Sequence, residues 1–206
     1  MPRIDLRKQY KEFYQPPKGQ FTIADVPTMN FVMIDGAGDP NTSTDYRDAV
    51  EALYSLVYTL KFMLKKQSDQ DFTVLPLEGL WWADDMQDFA KQPKDTWKWT
   101  MMIAQPDFAS RSDYARAREL AVAKKPLPAL ERTRWERFRE GLCAQITYIG
   151  PYAEEGPTIA SMHAFIDENG YRLAGKHHEI YMSDPRRAAP EKLKTVIRQP
   201  IKRKSK

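Results

Sequence analysis

The chain has 206 residues, 42% of them hydrophobic, with 15 prolines spread along its length, which describes a globular protein of one domain and excludes a disordered chain. Its net charge of +4 gathers at the ends, in "LRKQYK" and "IKRKSK", and such runs read as solvated, disordered tails. No helix-turn-helix, zinc-finger spacing or RNP pattern accompanies that charge, so no direct nucleic-acid partner is expected. The lone Cys143 fits a reducing compartment, and no apolar run is long enough to span a bilayer, so a cytoplasmic protein without membrane contact is expected.

In chain order, "MNFVMIDGAGDPNTSTD" reads as a strand and a turn. Asp45 and Asp48 suit a helix N-terminus, and Val50, Leu53, Val57, Leu60 and Leu64 recur at helical spacing, which predicts a helix over about 45–66. "DFTVLPLEGLWWA" and "WKWTMMIA" follow as strands. "SRSDYARARELAVAKK" is a basic, Ala-rich helix, "KKPLPALE" a linker, and "RTRWERFREG" extended chain anchored by Trp135. "LCAQITYIGPY" is the next strand. Pro157 opens a helix whose stripe is Ile159, Met162, Phe165 and Ile166, and Asn169-Gly170 stops it. "YRLAGKHHEIYMS" reads as one strand, and Pro190 as the start of a short helix through Leu193, Val196 and Ile197, ended by Pro200.

The order strand, helix, strand, strand therefore occurs twice. The expected organisation is one α+β domain with a first half at 23–105, a linking helix and linker at 106–133, a second half at 134–201 and a basic tail at 202–206. Laying "PLEGLW" beside "HHEIYM" brings Glu78 and Glu179 into register. Strand alternation is taken to send Ile180 and Met182 toward the helix layer and His177, Glu179 and Tyr181 away from it. In the first half Leu77 and Trp81 are assigned to the helix side, and Glu78, Leu80 and Trp82 to the open side. The two open faces then either line one groove or bury each other.

The pair His177-His178 with Glu179 invites a metal reading. Alternation lets only His177 and Glu179 share an ion, His163 lies on another element, and no HExxH is present, so no metal is expected. Glu179, on a sheet face among aromatics, must pair, gain a raised pKa or meet a ligand; Arg186 or Arg187 would be its structural partner. Trp81 and Trp82 together are a large apolar investment, of which one suits a pocket wall; Trp97 and Trp99 are core or wall. Tyr152 after "IGP" can hold a ligand oxygen or a water, with Tyr148 in reserve. Cys143 reads as a small buried residue, and there is no phosphate loop or serine elbow.

"GPYAEEGPTIASMHAFIDENGY" followed by "GKHHEIYMSDPRRAAPEKLKTVIRQP", with "EGLWW" and "GLCAQ", resembles the GyrI-like small-molecule-binding family, over about Ile23 to Ile201. The resemblance implies duplicated strand-helix-strand-strand halves (SHS2-type) about a pseudo-twofold axis with a central ligand cleft. Some members sit behind a DNA-binding module; with about 20 residues before the first strand, this chain resembles the stand-alone branch, some of which are cyclopropanoid cyclopropyl hydrolases. That implies a planar, lipophilic ligand, Glu179 and Tyr152 as catalytic residues, and a substrate site drawing on Glu78, Trp82, Trp81, Tyr181, Tyr148, Trp99 and His177, with no cofactor. The alternatives are a drug-sequestering module without chemistry and an inhibitor that binds DNA gyrase.

Overall fold

The computed structural model describes residues 4–84 and 93–204. In chain order the elements are α1 (Leu6–Gln9), α2 (Lys11–Tyr14), β1 (Thr22–Ala37), α3 (Thr44–Ser68), β2 (Leu77–Trp82), β3 (Lys98–Gln105), α4 (Arg111–Lys124), β4 (Arg134–Ile149), α5 (Gly156–Glu168), β5 (Tyr171–Leu173), β6 (His177–Tyr181) and β7 (Lys194–Arg203). The fold is α+β, and its strands pair antiparallel. Two compact units are present: Met1–Gln9, Met29–Pro76 and Trp82–Phe138 form one, and Tyr10–Thr28, Leu77–Trp81 and Arg139–Lys206 the other. The last two residues of the basic tail lie outside the described residues.

In the first unit β1 pairs with β3 from Asn30↔Gln105 to Ala37↔Lys98. Ser43, ahead of the two aspartates, caps α3 by accepting the Tyr46 N–H at 3.2 Å. Asp69, with φ 56°, ends the helix in the left-handed region. Leu53, Leu56, Val57 and Leu60 along its inner stripe are fully buried. Each such side chain contributes about 1.5–3 kcal/mol of burial. Trp99 is buried beneath this helix, edge-on to Tyr46 at 5.4 Å. Its ring fills the space that a Cβ on Gly36 would occupy, 2.1 Å from that position. Trp99 is thus a core residue of this unit. Trp135 is likewise buried, against Tyr114 of α4.

In the second unit β6 lies between β2 and β7, and β7 also pairs with β4. Directly paired residues share a face. One face therefore carries Ile146, Ile197, Glu179 and Gly79 in a row, and Tyr148, Thr195, Tyr181 and Leu77 in the next. Helix α5 packs on this face through Met162 and Ile166, against Ala144, Ile146, Ile197 and Ile201.

Five expectations are corrected by the fold. Glu179 and Tyr181 face α5, and Ile180 faces away from it, the reverse of the side assigned from alternation. On β2, Trp81 shares the Glu179 face, while Glu78 and Leu80 lie on the other. The physical reason is that residues 10–17 cover that other face, so both sides of the sheet are packed and neither is marked by polarity. Those residues are tied down through main-chain carbonyls: Arg198 bonds Phe13 O, Gln145 bonds Glu12 O and Thr147 bonds Pro16 O. The N-terminal "LRKQYK" is accordingly no free tail; Leu6 and Tyr14 are buried. Finally, "YRLAGKHHEIYMS" is two strands, broken at Gly175 with φ 60°, and the helix after Pro190 is a single 3-10 turn followed by β7. Thr195, Val196 and Ile197 are β-branched and suit a strand, where the apolar spacing alone was ambiguous.

Candidate functional site

The site grows from Glu179 in the middle of β6. Tyr181, two residues on and on the same face, donates its hydroxyl to Glu179 Oε2 at 2.8 Å. Trp81 donates its indole N–H to the Tyr181 oxygen at 3.0 Å. His177 Nε2 lies 3.3 Å from Glu179 Oε1 on the other side. The carboxylate is held from both flanks, with its side chain 17% exposed. Gly79 stands directly opposite it on β2. A Cβ there would come within 2.7 Å of Trp81 Nε1 and 3.2 Å of the Tyr181 oxygen, so the bare backbone is what lets the indole fold over to reach Tyr181.

Tyr152 lies in a 3-10 turn, Tyr152–Glu154, just before α5. Its ring meets Tyr181 edge-on at 5.6 Å. Tyr148 donates to Pro151 O at 3.1 Å, which holds the turn. Burial, helped by the charges of Glu155 and Glu154, raises its pKa. Gly150, with φ 150°, leaves room for that phenol, which would lie 2.4 Å from a Cβ.

Glu155 is the residue that sequence reasoning missed. It occupies the N-cap of α5 yet makes no capping bond with its side chain. It is buried instead, and its Oε1 has no hydrogen-bond partner among the described residues. Burial, with the charge of Glu179 beside it, pushes its pKa up to about 8. The Thr195 hydroxyl lies near enough to lower that value somewhat, although Thr195 Oγ1 forms no well-aligned hydrogen bond. A signal was present in "YAEEGPT": a glutamate stands where Ser, Thr, Asp or Asn is the usual cap. His163 of α5 also has a buried, unpartnered Nε2, and burial together with neighbouring His177 lowers its pKa.

Glu78 belongs to a different cluster on the opposite face. It accepts the Tyr14 hydroxyl at 2.6 Å and lies 3.1 Å from His178 Nε2, off the line of an ideal hydrogen bond. His178 Nδ1 is 2.9 Å from Glu140 Oε1, and Arg198 donates to Glu140 Oε2 at 2.9 Å. Burial opposes the Glu140 charge, but His178 and Arg198 override it and hold its carboxyl at about 2. Burial likewise works against His178 protonation, and Glu140 outweighs it, so its pKa is raised. Two acids face two bases, which is how a buried charge cluster becomes tolerable.

The structure thus brings together Glu179, Tyr152, Tyr181, Trp81, His177 and Tyr148. It sets Glu78 on the far face and Trp99 in the core of the other unit. Trp82 ends β2, half-buried. Of Arg186 and Arg187, the expected partners of Glu179, the first hydrogen-bonds Asp184 and the second forms an ion pair with it at 3.8 Å. Cys143 is buried, which pushes its thiol above the usual range. Among the described residues no group of three or more His, Cys, Asp or Glu is placed to hold a metal ion, and no helix is long and apolar enough to cross a membrane.

A small-molecule-binding class of protein accounts for a largely buried group of aromatic rings beside two acidic side chains. The chain belongs to the GyrI-like family: residues 19–202 match the GyrI-like small molecule binding domain. An uncharacterized conserved protein from Listeria innocua is 43% identical, with a TM-score of 0.90 over 97% of this chain and 100% of that one. A hydrolase encoded by lin2189 from Listeria innocua is 41% identical, with a TM-score of 0.87 over 98% of this chain and 100% of that one. A further Listeria innocua hydrolase is 41% identical, with a TM-score of 0.84 over 97% and 100%. No curated protein sequence matches the chain.

Proposed function

We propose that this chain is a hydrolase of small, planar, lipophilic molecules, and that its substrates are cyclopropanoid DNA-alkylating toxins, which it detoxifies. The observation that carries the reading is the Glu179 carboxylate, fixed by Tyr181 and His177 and flanked by the rings of Trp81, Tyr181 and Tyr152. The 41% identity to proteins described as hydrolases supports it. Glu179 takes a proton from a water that Tyr152 helps to position, and the water attacks the activated cyclopropane carbon. Ring strain and the aromatisation of the dienone supply the driving force, so the protein mainly has to orient the partners. Trp81 and Tyr181 stack on the flat ring system.

The second reading is a binder without chemistry. Two neighbouring carboxyls among aromatic rings also suit a lipophilic cation. Incubation with a cyclopropane-bearing alkylator decides between the two. Multiple turnovers to a product heavier by one water are expected; a stoichiometric complex with unchanged compound would sink the hydrolase reading and leave the binder.

A further inference from the structure

Two buried polar atoms in the second unit lack partners at adjacent places: Glu155 Oε1 at the start of α5, and Thr195 Oγ1 on β7. Thr195 pairs with Tyr181 on one side and Tyr148 on the other, so it sits in the row beside Glu179. An unsatisfied buried carboxyl and hydroxyl are costly, and a ligand oxygen within hydrogen-bond reach of both atoms satisfies them. Glu155 also forgoes the capping bond that its position offers. Its side chain is committed to the interior at the expense of the helix end.

We propose, resting on the hydrolase reading above, that Glu155 is the acid of the reaction, donating its proton to the substrate carbonyl oxygen conjugated with the strained ring. Thr195 hydrogen-bonds the same oxygen. The substrate class follows: a neutral molecule with a carbonyl at the end of the conjugated system, since a proton-bearing carboxyl needs an acceptor. The atoms balance. A bond forms between the water oxygen and the cyclopropane carbon, and the ring C–C bond breaks. Its electron pair passes through the dienone to the carbonyl oxygen, which takes the Glu155 proton and leaves as a phenol. The water proton goes to Glu179. One proton then moves from Glu179 to the neighbouring Glu155, and the resting state returns with one water added to the substrate.

Glu155 faces groups from three elements. Burial and the charge of Glu179 on β6 raise its pKa, the Thr195 hydroxyl on β7 lowers it, and Glu155 and Glu154 together help to raise that of Tyr148 on β4. His177 lies beyond Glu179. The carboxyl therefore keeps its proton at neutral pH and gives it up near pH 8.

The test uses the intact protein, a compound with a cyclopropane fused to a cyclohexadienone, and the variants Glu155→Gln and Glu179→Gln. Gln is close in shape to a protonated Glu, and thermal melts check that both variants fold. Wild-type kcat should fall as pH rises through about 8. Glu155→Gln should lose that alkaline limb and about 100-fold or more of kcat, with KM nearly unchanged. Infrared spectra of ligand-free protein add a readout independent of turnover. A protonated-carboxyl band should be present at neutral pH, be lost in Glu155→Gln, and in Glu179→Gln disappear at a lower pH than in wild type. Wild-type turnover with an unchanged kcat and alkaline limb in Glu155→Gln would overturn the acid role alone, as would a missing band. No wild-type turnover would overturn the hydrolase reading and the acid role with it.

Discussion

Glu179 is held by neighbours of different character: a phenol that is itself oriented by an indole, and an imidazole at longer range. Glu179→Gln preserves the shape and removes the base. Turnover should drop by roughly two to four orders of magnitude while ligand affinity and melting temperature stay close to wild type. Normal turnover by this variant would remove Glu179 from the chemistry. Glu155 makes a contrary prediction about stability. Its folded pKa is raised from 4.5 to about 8, so the folded state favours the protonated form. The contribution is intact below the unfolded value and is lost as pH climbs from about 4.5 toward 8. Glu155→Gln should therefore be more stable than wild type at pH 8, by roughly 1–3 kcal/mol, with the difference vanishing in acid. Urea unfolding at the two pH values measures it. An equal or lower stability at pH 8 would contradict the buried, uncompensated carboxyl.

At the scale of elements, β2 and β6 form the site's floor, and Gly79 is its tightest point. Gly79→Ala should push the Trp81 indole off Tyr181, costing roughly 1–3 kcal/mol and lowering turnover through a looser Glu179. Tryptophan fluorescence with urea melts would show both; unchanged spectra would mean that the indole has another resting place. The long helix α3, the strands before α5 and the strand face shared by His177, Glu179 and Tyr181 were legible because periodicity reports them directly. Which side α5 covers was not, since Ile180 and Ile197 are equally apolar and both sheet faces are packed. Glu155 was hidden for another reason. A glutamate beside another glutamate before Gly-Pro looks like solvated helix-start acidity, and only the fold turns it inward. Leu193, Val196 and Ile197 fit a helical stripe as well as a strand, and β-branching was the better guide.

For the molecule as a whole, the cluster of Glu78, Glu140, His178 and Arg198 sets the acid limit. Glu140 has its pKa lowered from 4.5 to about 2, so its contribution is present above the unfolded value and is lost as pH falls from about 4.5 toward 2. Removing one member strands the others. Glu140→Gln should cost roughly 3–5 kcal/mol and flatten the acid unfolding curve, seen by circular dichroism against pH. A variant as stable as wild type would show that the cluster is dispensable.

The lacing of residues 10–17 onto this sheet has an evolutionary corollary. Glu12, Phe13, Pro16 and Pro17 accept bonds through carbonyl oxygens, which every amino acid possesses. Tyr14 is engaged with the sheet by its side chain, through the Glu78 carboxylate. Selection there acts on spacing more than on identity: drift in the letters around Tyr14 is tolerated, whereas one inserted or deleted residue shifts every carbonyl out of reach of Arg198, Gln145 and Thr147. Among relatives, this stretch should vary in composition and keep its length.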